Sequence, residues 1–205
     1  MSALPPILAQ MKSLGHAVFD GPKDFDLNLF GIRTNDNASG EFNDLLGCAY
    51  KERGEWHVRY WAATTDPGVY YRENPMNVNG TAILVPGQYR SVYKIDGHGS
   101  TKYSALCQRN GTVRCYRDSD KDDILDMDPA SISEGWYGIN LHASSMHPYD
   151  DNRDRREGGL VKNWSAGCQV HATSRGFREM MALARKQVEV NGWDTFTYTL
   201  MTQWW

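Results

Sequence analysis

A thiol and a set of imidazoles carry most of the chemistry this sequence offers. Cys168 stands in "KNWSAGCQVHA", residues 162 to 172, behind the small run Ser165-Ala166-Gly167. A thiolate is a strong nucleophile when a base and a positive local field support it. The carbonyl it attacks also needs donors for its developing oxyanion. Gly167 lets the backbone turn sharply, which would leave the amides of Gly167 and Cys168 free to act as those donors. Six histidines could serve as the base: His16, His57, His98, His142, His147 and His171. His142 is the strongest candidate, because it ends the apolar run "GWYGINLH" 26 residues before Cys168. His147 and His171 are the alternatives.

A second group is acidic. In "RDSDKDDILDMD", residues 117 to 128, Asp118, Asp120 and Asp122 repeat the 1, 3, 5 spacing of a calcium loop. The sixth position, which should be glycine, is Asp123. The twelfth is Pro129 rather than Glu. The expectation is a solvated acidic turn rather than an EF-hand. No cofactor and no metal is expected at the thiol.

Elements must hold these residues in place. Residues 4 to 15 read as a short helix within an N-terminal segment 1–20. Pro5 and Pro6 suit its first turn, Ile7, Leu8, Met11 and Leu14 give helical spacing, and Gly15 stops it. Strand-like runs follow: "LNLFGIRT", then "LGCAYK" and "EWHVRYWAAT" around Arg53-Gly54, "TAILVPGQYRSVYKI", "YSALCQR", "TVRCYR", "GWYGINLHAS" and "TFTYTLM". Residues 174 to 190 form the one long helix expected. Phe177, Met180, Met181, Ala184 and Val188 share a face, Thr173 or Ser174 caps the start, and Asn191-Gly192 ends it. The fold class is mostly β with one packed helix, sandwich- or barrel-like, plus the short N-terminal helix, in a single domain over 1–205.

Asn110-Gly111 predicts a hairpin between "YSALCQR" and "TVRCYR". In that register Cys107 and Cys115 point to opposite faces, so a disulfide between them is not expected. Cys48, Cys107, Cys115 and Cys168 read as free thiols of a reducing compartment.

Composition narrows the partners. Hydrophobic residues make up 40%, charged residues 23% and aromatics 12%, with seven Trp and eleven Tyr. This is ordinary globular composition with the aromatic richness of a β-protein. A net charge of -3 gives no electrostatic reason to expect nucleic acid or an anionic membrane as partner. The opening residues have no basic start and no long apolar run. Synthesis in the cytoplasm without a signal peptide is therefore expected, and a monomer.

The combination "GWYGINLHAS... NWSAGCQV" resembles the signature of the L,D-transpeptidase catalytic domain: a strand ending in His, a variable loop, then Ser/Thr-His-Gly-Cys. "LVPGQYRSV" is similar to that family's Pro-x-Gly-x-Tyr/Phe strand. The resemblance covers roughly residues 80 to 200, on the order and spacing of strands and helix. It implies a Cys168 nucleophile that attacks the carbonyl between an L-centre and a D-residue of a peptidoglycan stem. It further implies His142 as base, the carbonyl of Ala143 or a neighbour as its orienter, and an oxyanion hole from Gly167 and Cys168.

The chain also departs from the pattern. The His two positions before the Cys is Ala166, and the Arg or Asn two positions after it is Val170. The insert "MHPYDDNRDRREGG" lengthens the loop and reads as a mobile charged loop over the cleft, solvated by default, with arginines that could instead meet stem carboxylates. "SAGCQV" resembles a divergent branch met in bacterial and phage-encoded proteins of the lysis type. Ser165 is then a candidate site residue, and Tyr89, Trp164 and Ser144 are candidate cleft residues.

The resulting expectation is a cysteine-dependent lytic enzyme of endolysin type that forms a thioacyl intermediate with a stem peptide. It would act on the cell wall after release or by another export route. The alternatives are a cross-linking L,D-transpeptidase and an inactive module that binds glycan or peptide. A catalytic Cys168 is also expected to be stabilised as thiolate.

Overall fold

The computed structural model describes residues 3–36, 40–122, 124–153 and 160–205. The first element is α1 (Pro6–Ser13), with a proline in its first turn. Ile7, Leu8 and Met11 are buried as the spacing predicts, against Phe30, Ile32, Ala49 and Met201. Leu14 lies past the helix end and is 50% exposed, so it does not belong to that face.

Three strands follow: β1 (Asn28–Arg33), β2 (Asp44–Glu52) and β3 (Glu55–Thr64). β2 and β3 form a hairpin whose two turn residues, Arg53 and Gly54, both have positive φ, 54° and 77°. That geometry matches the right-handed twist of the strands. The Asp24 carboxylate accepts from both turn amides, at 2.7 and 3.1 Å. A short helix, α2 (Val69–Glu73), comes next and had no sequence signal.

The run 81–95 is two strands rather than one. β4 (Thr81–Leu84) and β5 (Gly87–His98) separate at Pro86, which lacks the amide a continuous ladder would need. β6 (Tyr103–Gln108) pairs with β5. β7 (Val113–Asp118) pairs with β4 and β8 (Ser133–Gly135). The hairpin expected at Asn110-Gly111 therefore does not form. Neither residue has positive φ. Instead the amides of Arg109 and Asn110 both donate to the Val92 carbonyl, at 3.1 and 2.9 Å, and the chain crosses from one sheet to the other. Cys107 and Cys115 are each fully buried and unpaired.

The apolar run 135–144 is also not one strand. After β8 it leaves extended pairing, passes Gly138 at φ 71°, and re-enters as β9 (Leu141–Ala143). β10 (Gln169–His171), α3 (Ser174–Asn191) and β11 (Thr195–Thr202) complete the chain.

Eight strands close a barrel in the order β1-β11-β5-β6-β9-β10-β3-β2. β1/β11 and β9/β10 are parallel pairs; the others are antiparallel. The sheet β4-β7-β8 stands beside it. Because β1–β3 supply three of the eight staves, the barrel is not confined to residues 80–200.

α3 follows the sequence reading closely. The Thr173 hydroxyl accepts from the Gly176 amide at 3.0 Å, and Gly192 ends the helix at φ 72°. Phe177, Met180, Met181 and Ala184 are buried in the main core. Burying each large apolar side chain contributes about 1.5–3 kcal/mol. Among the described residues no helix is long and apolar enough to cross a membrane.

Candidate active site

β9 and β10 lie side by side, with Val170 opposite His142 and Gln169 opposite Leu141. This parallel pairing brings the segment before β10 alongside the segment before β9. The Gln169 amide donates to the Asn140 carbonyl at 2.9 Å, so Cys168 arrives level with Asn140. The Asn140 amide donates to Cys168 Sγ at 3.4 Å, and the thiol donates to the Gly138 carbonyl at 3.4 Å. The sulfur is thus held at rest by backbone.

That backbone is itself held by Gln108, which is 2% exposed. Its Oε1 accepts from the amides of Tyr137, Gly138 and Ile139 at 3.2, 2.9 and 3.1 Å. Its Nε2 donates to the carbonyls of Gly111 and Gly135, both at 3.0 Å. One buried amide side chain therefore shapes the irregular stretch that holds the Cys168 sulfur. Its importance is invisible in a one-dimensional pattern, where Gln108 is a polar residue at a strand end.

His142 sits inside β9 and is 3% exposed, rather than at a strand end that opens outward. Its Nδ1 lies 2.9 Å from the Ala143 carbonyl. A carbonyl only accepts, so Nδ1 carries the proton and Nε2 keeps a lone pair toward the cavity that His142 lines. Ala143 is one of the residues whose carbonyl the resemblance offers for that contact. Tyr103 reinforces it, its hydroxyl donating to the same oxygen at 3.4 Å.

A second imidazole is stacked on the first. The rings of His98 and His142 are 4.1 Å apart at 22°. Asn140 Oδ1 accepts from the Gln108 amide at 2.8 Å, so its Nδ2 donates to His98 Nδ1 at 3.0 Å. His98 therefore carries its proton on Nε2, the opposite tautomer to His142. Burial lowers His98 to about 4. His142 is lowered to about 3, first by burial and then by His98, against the Ala143 bond. Nothing in "IDGHGS" marks His98 as a site residue; only the fold brings it to His142.

Cys168 departs from its sequence expectation. Burial raises its thiol to about 11, with the Asn140 amide opposing. At rest the pair is a neutral thiol and a neutral imidazole, not a stabilised thiolate. Cys168 is nevertheless the one partly exposed cysteine; Cys48, Cys107 and Cys115 are buried.

The turn before Cys168 is closed by Ser165, which is fully buried. Its hydroxyl donates to the Cys168 carbonyl at 2.8 Å and accepts from the Gly167 amide at 3.1 Å. Ser165 therefore positions the cysteine and does not face substrate. The same bond takes the Gly167 amide out of the expected oxyanion hole, so the Cys168 amide is the remaining donor of the two. Gly167 is needed for shape: its φ is 114°, and a Cβ there would lie 2.3 Å from the Ala82 carbonyl oxygen.

Two cavities meet at the thiol. One, of about 660 Å³, is lined by His98, Tyr103, His142, Trp164, Ala166 and Cys168 among others. The other, of about 390 Å³, includes Arg117, Trp136, Tyr137, Ala166 and Cys168. Met76 and Ala166 border both. No known protein family, curated protein or solved structure matches the chain.

The remaining candidates divide. Trp164 lines the cavity with Cys168 and His142. Tyr89 does not: it is buried in the core with its hydroxyl donating to the carbonyls of Val85 and Arg114. Ser144 is also consumed elsewhere, its amide donating to the His171 carbonyl and its hydroxyl to the Ala172 carbonyl. His171 packs against Trp61 and Phe177 with Nε2 at Met180 Sδ, and His147 meets Arg153, so neither competes as base. Of the charged insert, residues 154–159 lie outside the described residues.

Proposed function

We propose that the protein is a cysteine-dependent acyl-transfer enzyme that acts on peptidoglycan stem peptides, with water as the usual acceptor. The observation that carries this reading is the pairing of β9 with β10. It puts a partly exposed thiol and a tautomer-fixed imidazole on one cavity wall.

The chemistry follows from the neutral pair. As Cys168 Sγ attacks the peptide carbonyl carbon, its proton passes to His142 Nε2, and the carbonyl oxygen takes negative charge facing the Cys168 amide. The tetrahedral adduct collapses by breaking the C–N bond, and His142 Nε2 returns the proton to the leaving amine. A thioester remains. Water then gives a proton to Nε2 and adds to the thioester; collapse releases the acid and the thiolate is reprotonated from Nε2. Proton transfer accompanies attack, because desolvation of the buried His142 ring and of the partly buried Cys168 sulfur disfavours a pre-formed thiolate–imidazolium pair.

The second cavity supports a place for the other half of the peptide. Arg117 lies over the Tyr137 ring at 4.2 Å on its wall, a positive group suited to a stem carboxylate. Two cavities about one thiol also suit transfer to an amine, which is the cross-linking alternative.

Digestion of purified peptidoglycan by the wild type and Cys168→Ala, followed by mass spectrometry of the muropeptides, tests the reading. Shortened stems or split cross-links from the wild type alone are expected. New cross-links or exchanged D-amino acids would mean transpeptidation. Identical products from both proteins would reject wall chemistry at Cys168 and leave the binding-module alternative.

A further inference from the structure

The acidic loop after β7 plays no part in that chemistry, and its geometry differs from the 1, 3, 5 pattern of its sequence. Asp122 is turned away, its Oδ1 accepting from the Ile124 amide at 2.7 Å. Leu125 is buried, and the chain returns so that Asp126 faces Asp118 and Asp120. One carboxylate oxygen from each of Asp118, Asp120 and Asp126 lies within 4.8 Å of the others. Two oxygens bound to one calcium ion at about 2.4 Å are separated by at most about 4.8 Å. A single ion can therefore reach all three.

The independent observation concerns Asp118. It is the last residue of β7 and is fully buried, so it is not part of a solvated turn. Neither of its carboxylate oxygens has a hydrogen-bond partner of good geometry; only the Asp126 backbone N–H approaches them. A dry carboxylate without a well-placed donor is among the most costly groups a fold can hold. Asp120 and Asp126 are exposed, which gives an ion a way in from solvent.

We propose that Asp118, Asp120 and Asp126 form a binding site for a hard divalent cation of calcium type. The donors are carboxylate oxygens without nitrogen or sulfur, which disfavours zinc. The irregular arrangement with room for water favours calcium over magnesium, which requires a near-ideal octahedron. Bound there, the ion ties the end of β7 to its own loop. It would also brace the neighbouring segment at Gly80, where a Cβ would lie 2.1 Å from the Asp118 carbonyl oxygen. Gly80, Asn77 and Met76 line the cavity beside Cys168, so the ion would stiffen one wall of the cleft.

Full-length protein stripped with a chelator is titrated with calcium chloride to about 10 mM, above the weakest natural calcium sites. Thermal unfolding and calorimetric titration are followed together. A saturable rise in Tm of about 5 °C or more with one-site heat is expected. Asp120→Asn and Asp126→Asn, both at exposed positions, should weaken binding at least tenfold while folding normally. Asp118→Asn should abolish the calcium response and raise Tm in chelator, since it removes the buried charge. An unchanged Tm with no heat in the wild type, or variants that respond like the wild type, would overturn the site. A larger shift with magnesium chloride would overturn its assignment to calcium.

Discussion

At the scale of single residues, the decisive feature of the proposed mechanism is that Cys168 and His142 are both neutral at rest. With His142 near 3 and Cys168 near 11, the reactive protonation state persists across the neutral range. The log of kcat/KM should therefore be flat from about pH 5 to 9, because neither group changes charge there. A bell with both limbs inside that window would mean an ion-pair mechanism instead. Gly167→Ala should fail to hold the site, since it forces a Cβ onto the Ala82 carbonyl at a φ suited to glycine. Ser165→Ala removes two buried hydrogen bonds around Cys168. A loss of about 1–3 kcal/mol in denaturant unfolding is expected, with kcat falling more than KM rises. The types and order of Cys168, Gly167 and His142 were legible in the sequence, because turn glycine, thiol and strand histidine leave local signals. The protonation states were not, since they depend on burial by distant elements. His98 was missed for the same reason: it comes from β5, far along the chain from its stacking partner.

At the scale of elements, local pattern served well where one segment decides its own structure. α3 has its caps and apolar face where the 3.6-residue spacing put them, and the Arg53-Gly54 hairpin closes as its turn residues require. Pattern failed where two sheets compete for one segment. Asn110-Gly111 looks like a hairpin turn, yet β6 gains more by inserting between β5 and β9, and β7 joins β4. The run 135–144 is apolar throughout, yet its middle must leave the sheet so that Gly138 and Asn140 can hold the sulfur. Gln108 is the side chain that makes this irregular stretch stable. Gln108→Leu should leave three amides without their acceptor and let the loop relax. A small displacement of a nucleophile costs about 100-fold in rate. We expect kcat/KM to fall by about that factor while circular dichroism still reports a folded β-protein. Activity within twofold of wild type would show that the loop is positioned by other means.

At the scale of the whole molecule, the barrel keeps His142 and His171 buried and neutral, both lowered to about 3 chiefly by burial. Each binds a proton readily when unfolded, near pH 6.5, but not when folded. Their contribution to stability is complete above about pH 6.5 and is lost as pH falls toward 3, by about 1.4 kcal/mol per pH unit for each group. Unfolding in urea at a series of pH values should show that decline, with His171→Phe removing one histidine's share, about 1.4 kcal/mol per pH unit, from its slope. The whole account rests on one covalent event at the junction of β9 and β10. The most direct measurement is rapid acid quenching of enzyme with a tetrapeptide stem, then peptide mapping by mass spectrometry. The account predicts an acyl group on Cys168, labile to hydroxylamine, that does not form in His142→Gln. Turnover without an adduct on Cys168, or an adduct on another residue, would contradict it.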